Sequence, residues 1–241
     1  MVNEITDGFI QAIHLIVTMD HEVLKITILS LEISLAATLF SACIGIPFGA
    51  FLYYRDFSGK RALLNIIQTL YALPTVLAGL MLFLLISNQG PLGFLGLLYT
   101  PYGMVIAQMI LVVPLITGLT FAALNAIDPE MKQTVTSLGA TGMQSARTLI
   151  LEARFGILAA VILGFGRAIS EVGAALIIGG NIRGYTRVLT TAISLETSVG
   201  DFPFAIALGI ILLGVAIMVN VGLNIIQSGS AWKTHSHPEF R

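Results

Sequence analysis

Residues 26–51 read ITILSLEISLAATLFSACIGIPFGAF, and this stretch decides the fold. Glu32 is its only charged residue. An α-helix rises about 1.5 Å per residue, so a run of this length crosses a hydrocarbon layer about 30 Å thick. The strict alternation of polar and apolar residues that marks a strand of a membrane β-barrel is absent. The stretch therefore predicts a membrane-spanning helix.

The composition of the whole chain also indicates a membrane environment. Of 241 residues, 56% are hydrophobic and 10% are charged, and the mean hydropathy is +0.92. Soluble domains carry about 25% charged residues. Further apolar windows lie at 63–86, 102–124, 155–178 and 204–226. We expect an all-α membrane protein with about five transmembrane helices.

A shorter apolar run at residues 8–19 precedes these windows. We expect a short N-terminal apolar helix, which either lies at the membrane interface or forms a sixth, partial element. Pro74 and Pro114 fall inside their windows, so we expect them to kink their helices. Glu32 lies near the outer end of the first window, where we interpret it as a structural or interfacial residue.

Several functional classes are excluded by composition. A net charge of −1 offers no strong field for nucleic acid. Cys43 is the only cysteine, so no disulfide can form within one chain and a cysteine-based zinc site is excluded. The four histidines are scattered, which argues against a histidine-bound metal centre. The G-x-x-x-x-G-K-[ST] phosphate loop is also absent, so we expect neither ATP hydrolysis nor a resident cofactor in this chain.

Lysine and arginine are unevenly divided between the two sides of the predicted membrane. Because positively charged loops stay in the cytoplasm, the richer side is expected to be cytoplasmic. This orientation places the N-terminus outside and the C-terminus inside, with residues 228–241 as a cytoplasmic tail, either native or added as an affinity tag. The richer side holds Arg55, Lys60, Arg61, Lys132, Arg147, Arg154, Lys233 and Arg241.

A polar segment at residues 128–152 interrupts the apolar chain. It begins with Asp-Pro-Glu, in which an aspartate caps a helix and proline takes the first helical position. Gly139 is placed to end that helix. Thr141 and Gln144 have the spacing of a capping box, which starts a second helix. The segment therefore predicts two short helices joined by a glycine turn.

The second of these helices carries Met143, Ala146 and Leu149 at helical spacing. An apolar helix face on the cytoplasmic side is typical of docking into the groove of a partner. The same pattern also fits a helix that packs against its own bundle. The residue pattern by itself favours neither interpretation.

The residues of this segment carry a resemblance. QTVTSLGATGMQSARTLILEARFGI, residues 133–157, resembles the cytoplasmic loop of ABC importer permeases, in which E-A-A is followed by a glycine and then by I-x-L-P. Gln133 stands at the acid and the final proline is missing. Residues 70–93 and 165–193 resemble the permeases for sulfate, molybdate and tungstate, and the second is most similar to tungstate permeases.

This resemblance implies the type I ABC importer permease fold, with residues 1–227 as a single transmembrane permease domain in the cell membrane. The implied function is the permease subunit of an ATP-driven oxyanion importer, best matched to tungstate. Molybdate or sulfate permeases, or an unrelated passive channel or carrier, are the alternatives. The implied partners are a second copy of the chain, two ATPase subunits that bind ATP and Mg, and an extracytoplasmic oxyanion-binding protein. The implied ATPase-coupling loop contains Gln133, Ser137, Leu138, Gly139, Ala140, Thr141, Met143 and Gln144.

Two charges lie inside the fourth window, at Arg167 and Glu171. Each costs about 2.5–3.5 kcal/mol at the centre of a membrane helix. Their four-residue spacing allows an ion pair that fixes packing, or both line a pathway or its gate. An unpaired Glu171 would repel an anion, so we expect it to be paired with Arg167 or turned from the pore. The candidate pathway or gate residues are Pro74, Thr75, Arg167, Ser170, Glu171 and Gly173.

The segment GGNIRGYTRVLTT, residues 179–191, is expected outside the membrane. Its candidate mouth residues are Asn181, Arg183 and Arg187. Cationic donors at this position suit an anion. Contact with a binding protein explains them equally well, and a solvated loop is the third interpretation.

Overall fold

The computed structural model describes the backbone of residues 2–234 and the side chains of residue 6 and residues 8–225. In this part of the chain the regular structure is entirely helical. Residues 235–241 of the predicted tail 228–241 lie outside the described residues. The helices are α1 Val2–Val17, α2 His21–Tyr54, α3 Lys60–Tyr71, α4 Thr75–Ile86, α5 Pro101–Asn125, α6 Pro129–Ser137, α7 Gly142–Glu152, α8 Arg154–Ile169, α9 Gly173–Gly179, α10 Leu189–Val199 and α11 Phe202–Thr234, with a short 3-10 helix at Gly93–Leu95.

Three of the helices are long and apolar enough to cross a membrane by themselves, namely α2, α5 and α11. The pair α3 and α4 and the pair α7 and α8 pass the same test together, although each pair is sharply bent at a short break. Counting each bent pair as one span gives up to five. The expected all-α membrane class with about five spans is therefore confirmed.

Two of the predicted windows are interrupted rather than continuous. The second stops at Tyr71 and resumes at Thr75, because Pro74 has no N–H to donate and its fixed φ ends the helix before it. The fourth stops at Ile169 and resumes at Gly173. Glu171 therefore lies in a break and not inside a helix. By contrast, α5 continues through Pro114 as one helix.

Residues 2–38, 73–111 and 165–218 form one compact unit. Within it, α4 packs closely along α9, where a Cβ added at Gly79 would lie 2.8 Å from the Ala174 Cα. Small residues at such a contact let two backbones approach, which is the usual source of helix association in a membrane. A second cluster joins α2, α10 and α11 through Val23, Leu189 and Leu208.

The N-terminal helix α1 belongs to the same unit. Ala12 is fully buried, and a Cβ added at Gly8 would touch the Ile206 side chain at 3.5 Å. Phe9 and Ile10 on the remaining surface are exposed. The predicted short N-terminal helix is therefore present and packs through its small residues.

Residues 39–72, 112–164 and 219–234 form the other unit. Its central contact joins α2 to α5 through the sequence GIPFG. A Cβ added at Gly45 would lie 3.2 Å from the Thr117 amide nitrogen, and one added at Gly49 would lie 2.8 Å from the Thr120 Cβ. This small-x-x-x-small spacing puts both glycines on one helix face, where α5 packs against them.

Candidate functional sites

Glu171 is the centre of the first site. It is 2% exposed, and its carboxylate accepts a hydrogen bond from Arg167 Nη1 at 3.2 Å and another from the Ala174 amide at 2.9 Å. Its backbone carbonyl accepts from Thr190 Oγ1 at 2.6 Å. Because α9 begins at Gly173, the Ala174 amide has no partner within its own helix. Glu171 therefore caps α9 and holds α8, α9 and α10 together.

Arg167 is the more accessible member of this pair. Its side chain is 32% exposed, whereas that of Glu171 is 1% exposed. Among the described residues, its guanidinium group hydrogen-bonds only to Glu171. The expected pairing is present, and the acid is also the member that is turned away from the surface.

The remaining pathway candidates meet where the two breaks lie side by side. A Cβ added at Gly173 would lie 2.7 Å from Thr75 Oγ1 and 3.1 Å from the Val76 amide, so only glycine fits there without movement. Pro74 directly precedes α4 and is exposed. Ser170 is exposed as well and donates to the Gly166 carbonyl at 2.8 Å. The first site thus combines a paired charge with two interrupted helices.

Arg183 and Arg187, two of the candidate mouth residues, form a second site. Arg183 donates through Nε to Glu22 at 2.6 Å and through Nη2 to the other oxygen of the same carboxylate. These bonds and the attraction of the carboxylate raise the pKa of Arg183 above its usual value. Arg187 Nη1 lies 3.2 Å from a carboxylate oxygen of Glu196 and 3.8 Å from Glu22. Both guanidinium groups are therefore already paired with acids.

The partners Glu22 and Glu196 were missed in the sequence, because Glu22 is 161 residues from Arg183 and no local pattern links them. Asn181 belongs to a separate contact. It has a φ of 51°, and its side chain donates to the Thr191 carbonyl at 3.3 Å and accepts from Thr191 Oγ1 at 3.0 Å. These bonds hold the loop onto the start of α10.

A cavity of about 560 Å³ adjoins the paired arginines. Its wall is partly apolar, and its charged lining includes both acids and cations. The exposed Glu32, interpreted above as structural or interfacial, contributes to it. Its charged lining residues are Glu22, Lys25, Glu32, Arg183 and Arg187.

The polar segment at residues 128–152 forms a third site, and both of its helices begin at the predicted capping residues. The Asp128 carboxylate accepts from the Glu130 amide at 2.9 Å, and Pro129 opens α6. Gly139 has a φ of 76°, a left-handed conformation that glycine adopts without strain. The Thr141 amide donates to Gln144 Oε1 at 2.8 Å, and the Gln144 amide donates back to Thr141 Oγ1 at 3.4 Å. The predicted helix–turn–helix is present.

The two ends of this segment differ in exposure. Leu138 is 82% exposed and Met143 is 81% exposed. Leu149 is fully buried in a cluster with Ala50 and Leu124, and the Ala146 carbonyl is 3.4 Å from the Tyr54 hydroxyl. The C-terminal end of α7 therefore packs against its own bundle, whereas its N-terminal end leaves apolar side chains exposed. Among the other candidate coupling residues, Gln133 and Ser137 are exposed and Ala140 is half-buried.

Comparisons with known proteins place this geometry in a family. The family model described as a binding-protein-dependent transport system inner membrane component matches residues 45–229. The tungstate uptake system permease protein TupB of Peptoclostridium acidaminophilum is 41% identical over 223 residues, covering 92% of this chain and 98% of that protein. The protein of the same name from Campylobacter jejuni is 39% identical, and the match covers 90% of this chain and 90% of that protein. The sulfate transport system permease protein CysT of Salmonella typhimurium is 30% identical, covering 85% of this chain and 75% of that one.

A solved structure agrees on the fold. The crystal structure of an amino acid ABC transporter with histidines superposes with a TM-score of 0.67 at 19% identity, covering 88% of this chain and 96% of its counterpart. This likeness confirms the type I importer permease fold that the sequence resemblance implied. The chain is thus a multi-pass membrane transport permease rather than a catalytic subunit. It belongs to the family of binding-protein-dependent transport system inner membrane components.

Proposed function

We propose that this chain is the permease subunit of an ATP-driven importer for tungstate. The observation that carries the proposal is the order of similarity among the relatives. Two tungstate permeases are about 40% identical over nine-tenths or more of both chains, whereas a sulfate permease is 30% identical over a smaller share. Tungstate, molybdate and sulfate are all tetrahedral dianions, so the shared chemistry is that of an oxyanion.

We further propose that the turn between α6 and α7 couples the permease to an ATPase. Leu138 and Met143 are among the most exposed large apolar side chains of the described chain. Exposed apolar anchors on a short, capped helix are what a helix-in-groove contact requires. The buried Leu149 ties the other end of α7 to its own unit, so a push on the turn is transmitted to the helices around it.

The proposed assembly is two copies of this chain, two ATPase subunits on the cytoplasmic side and one binding protein outside. The sequence has no phosphate loop, which is why ATP and Mg are assigned to the partner. The orientation proposed from the Lys and Arg distribution puts the coupling turn inside and Arg183 outside. Isolation as a stable, active monomer without a copurifying ATPase would contradict this assembly.

The function is tested by anion uptake. The chain, its ATPase and its binding protein are expressed together in cells that lack oxyanion uptake systems, and radiolabelled tungstate, molybdate and sulfate are supplied separately. We expect tungstate uptake that stops when the ATPase carries an inactivating substitution. Uptake of molybdate or sulfate alone would reassign the substrate. Uptake that persists without a working ATPase would instead indicate a passive channel.

A further inference from the structure

Arg167 and the two helix breaks lie together in one unit, and both breaks are open to the surface of the single chain. Pro74 and Ser170 are exposed, and Gly173 abuts Thr75 between them. Non-helical backbone at membrane depth is tolerated only where it is buried in protein or lines a water-filled cavity. The exposed side of the breaks therefore does not face lipid. It faces an aqueous passage or a second copy of the chain.

The charge of Arg167 points to the same conclusion. Arg167 lies near the middle of the apolar window 155–178, and about a third of its side chain is exposed. Charged groups at this depth face the bundle interior or a water-filled cavity. Glu171 takes only one of the N–H donors of the guanidinium. Most of the five donors of an arginine therefore remain for another acceptor.

Resting on the proposed function, we propose that Arg167 contacts the oxyanion as it passes through the permease, and that Glu171 positions its guanidinium. A planar fork of N–H donors matches two oxygens of a tetrahedral oxyanion. Glu171 is fixed by the Ala174 amide and is almost fully buried, so it orients Arg167 without presenting its own charge to the anion. It also offsets part of the positive charge, which lets a bound anion leave.

A purely structural ion pair predicts different behaviour from a passage residue. If the pair only fixes packing, removing both charges at once should restore what either single removal damages, because no unpaired charge is left buried. If Arg167 contacts the anion, the double variant stays defective. The charge-swapped variant separates the two roles in the same way, because it moves the cation to the buried position.

The test uses the complete importer in proteoliposomes with tungstate-loaded binding protein. We expect Arg167→Gln to lower the maximal uptake rate about ten- to hundredfold, the range of one lost charge-assisted hydrogen bond. The concentration of binding protein that gives half-maximal uptake should stay unchanged, since docking outside is not affected. Arg167→Lys should recover part of the rate. The double variant Arg167→Gln, Glu171→Gln should remain as slow as Arg167→Gln.

The matched control is the ion pair of Lys60 and Asp56, which has the same four-residue spacing and a 2.8 Å contact and whose acid is almost fully exposed. The double variant Asp56→Asn, Lys60→Gln should transport at the wild-type rate. Recovery of uptake in the double or charge-swapped variant of Arg167 and Glu171 would overturn the inference, as would loss of the dimer in Arg167→Gln. Failure of the wild-type importer to take up tungstate would count against the proposed substrate, and the same variants would then be measured with the oxyanion that is transported.

Discussion

At the scale of single residues, local chemistry sets the conformation of the turn between α6 and α7, the proposed coupling turn. Gly139 adopts a left-handed backbone that costs other residues about 1–2 kcal/mol. A Cβ added there would meet nothing within 4 Å, so the cost of Gly139→Val is backbone strain alone. The capping box of Thr141 and Gln144 then sets the direction in which Met143 projects.

The Met143 side chain provides the first prediction. Because it is 81% exposed, a charge at this position costs the permease itself nothing in burial. In an apolar groove of an ATPase, burial of the same carboxylate would cost on the order of several kcal/mol, or roughly a hundredfold or more in occupancy. We expect Met143→Glu to give normal membrane yield while the stimulation of ATPase activity by loaded binding protein is lost. The measurements are membrane yield, ATPase copurification and stimulated hydrolysis.

Leu149→Glu is the contrasting control for that prediction. Leu149 is on the same helix but fully buried, so a charge there should lower the yield of folded protein. Normal yield and normal stimulation in Met143→Glu would refute the coupling assignment. Low yield of Met143→Glu would mean that this end of α7 also packs against its own chain.

At the scale of helices, close packing depends on glycines that face backbone. A Cβ at Gly49 would lie 2.5 Å from the Thr117 carbonyl oxygen, and this atom belongs to the α5 backbone and cannot rotate away. Gly214 in α11 has the same helical setting, but nothing lies within 4 Å of an added Cβ. The two glycines therefore separate helix packing from helix propensity.

This comparison gives the second prediction. We expect Gly49→Val to lower stability by about 1–3 kcal/mol, the usual range for overpacking, because α2 and α5 must move apart. Gly214→Val should be neutral or slightly stabilising, since valine is still a better helix former than glycine and meets open space there. The check is the unfolding temperature of each purified variant in detergent. Equal unfolding temperatures for Gly49→Val and the wild type would show that the α2–α5 contact carries little of the stability.

The elements also show which features a sequence can reveal. The caps at Asp128, Gly139 and Thr141 were predictable, because each depends on residues within four positions of itself. The break before α4 has a local signal in Pro74, although hydropathy alone suggests one continuous span. The break between α8 and α9 has no comparable signal, since its backbone groups are satisfied by the Glu171 carboxylate and by Thr190, which lies 19 residues further along the chain.

At the scale of the whole molecule, ion pairs between distant segments cannot be predicted from a sequence pattern. Arg183 and Glu22 are 161 residues apart, and their pairing changes how the loop at residues 179–191 is interpreted. Two cations that looked available to an anion are largely neutralised by acids. The contrast between the two ends of α7 could not be predicted from the sequence either, because the burial of Leu149 depends on helices far away in the chain.

The distribution of charge over the chain gives the last prediction, which concerns orientation. Most lysines and arginines fall on the side of the membrane that carries Arg147, so this side should be cytoplasmic. Single cysteines are introduced as Arg147→Cys and Tyr185→Cys in a Cys43→Ala background. Tyr185 is 49% exposed and lies in the loop that is expected outside, and it takes no part in the ion pair between Arg183 and Glu22. We expect a membrane-impermeant maleimide to label Cys at 185 in intact cells and Cys at 147 only after lysis. Labelling at 147 before lysis would reverse the proposed orientation, and it would place the proposed coupling turn on the side that a cytoplasmic ATPase cannot reach.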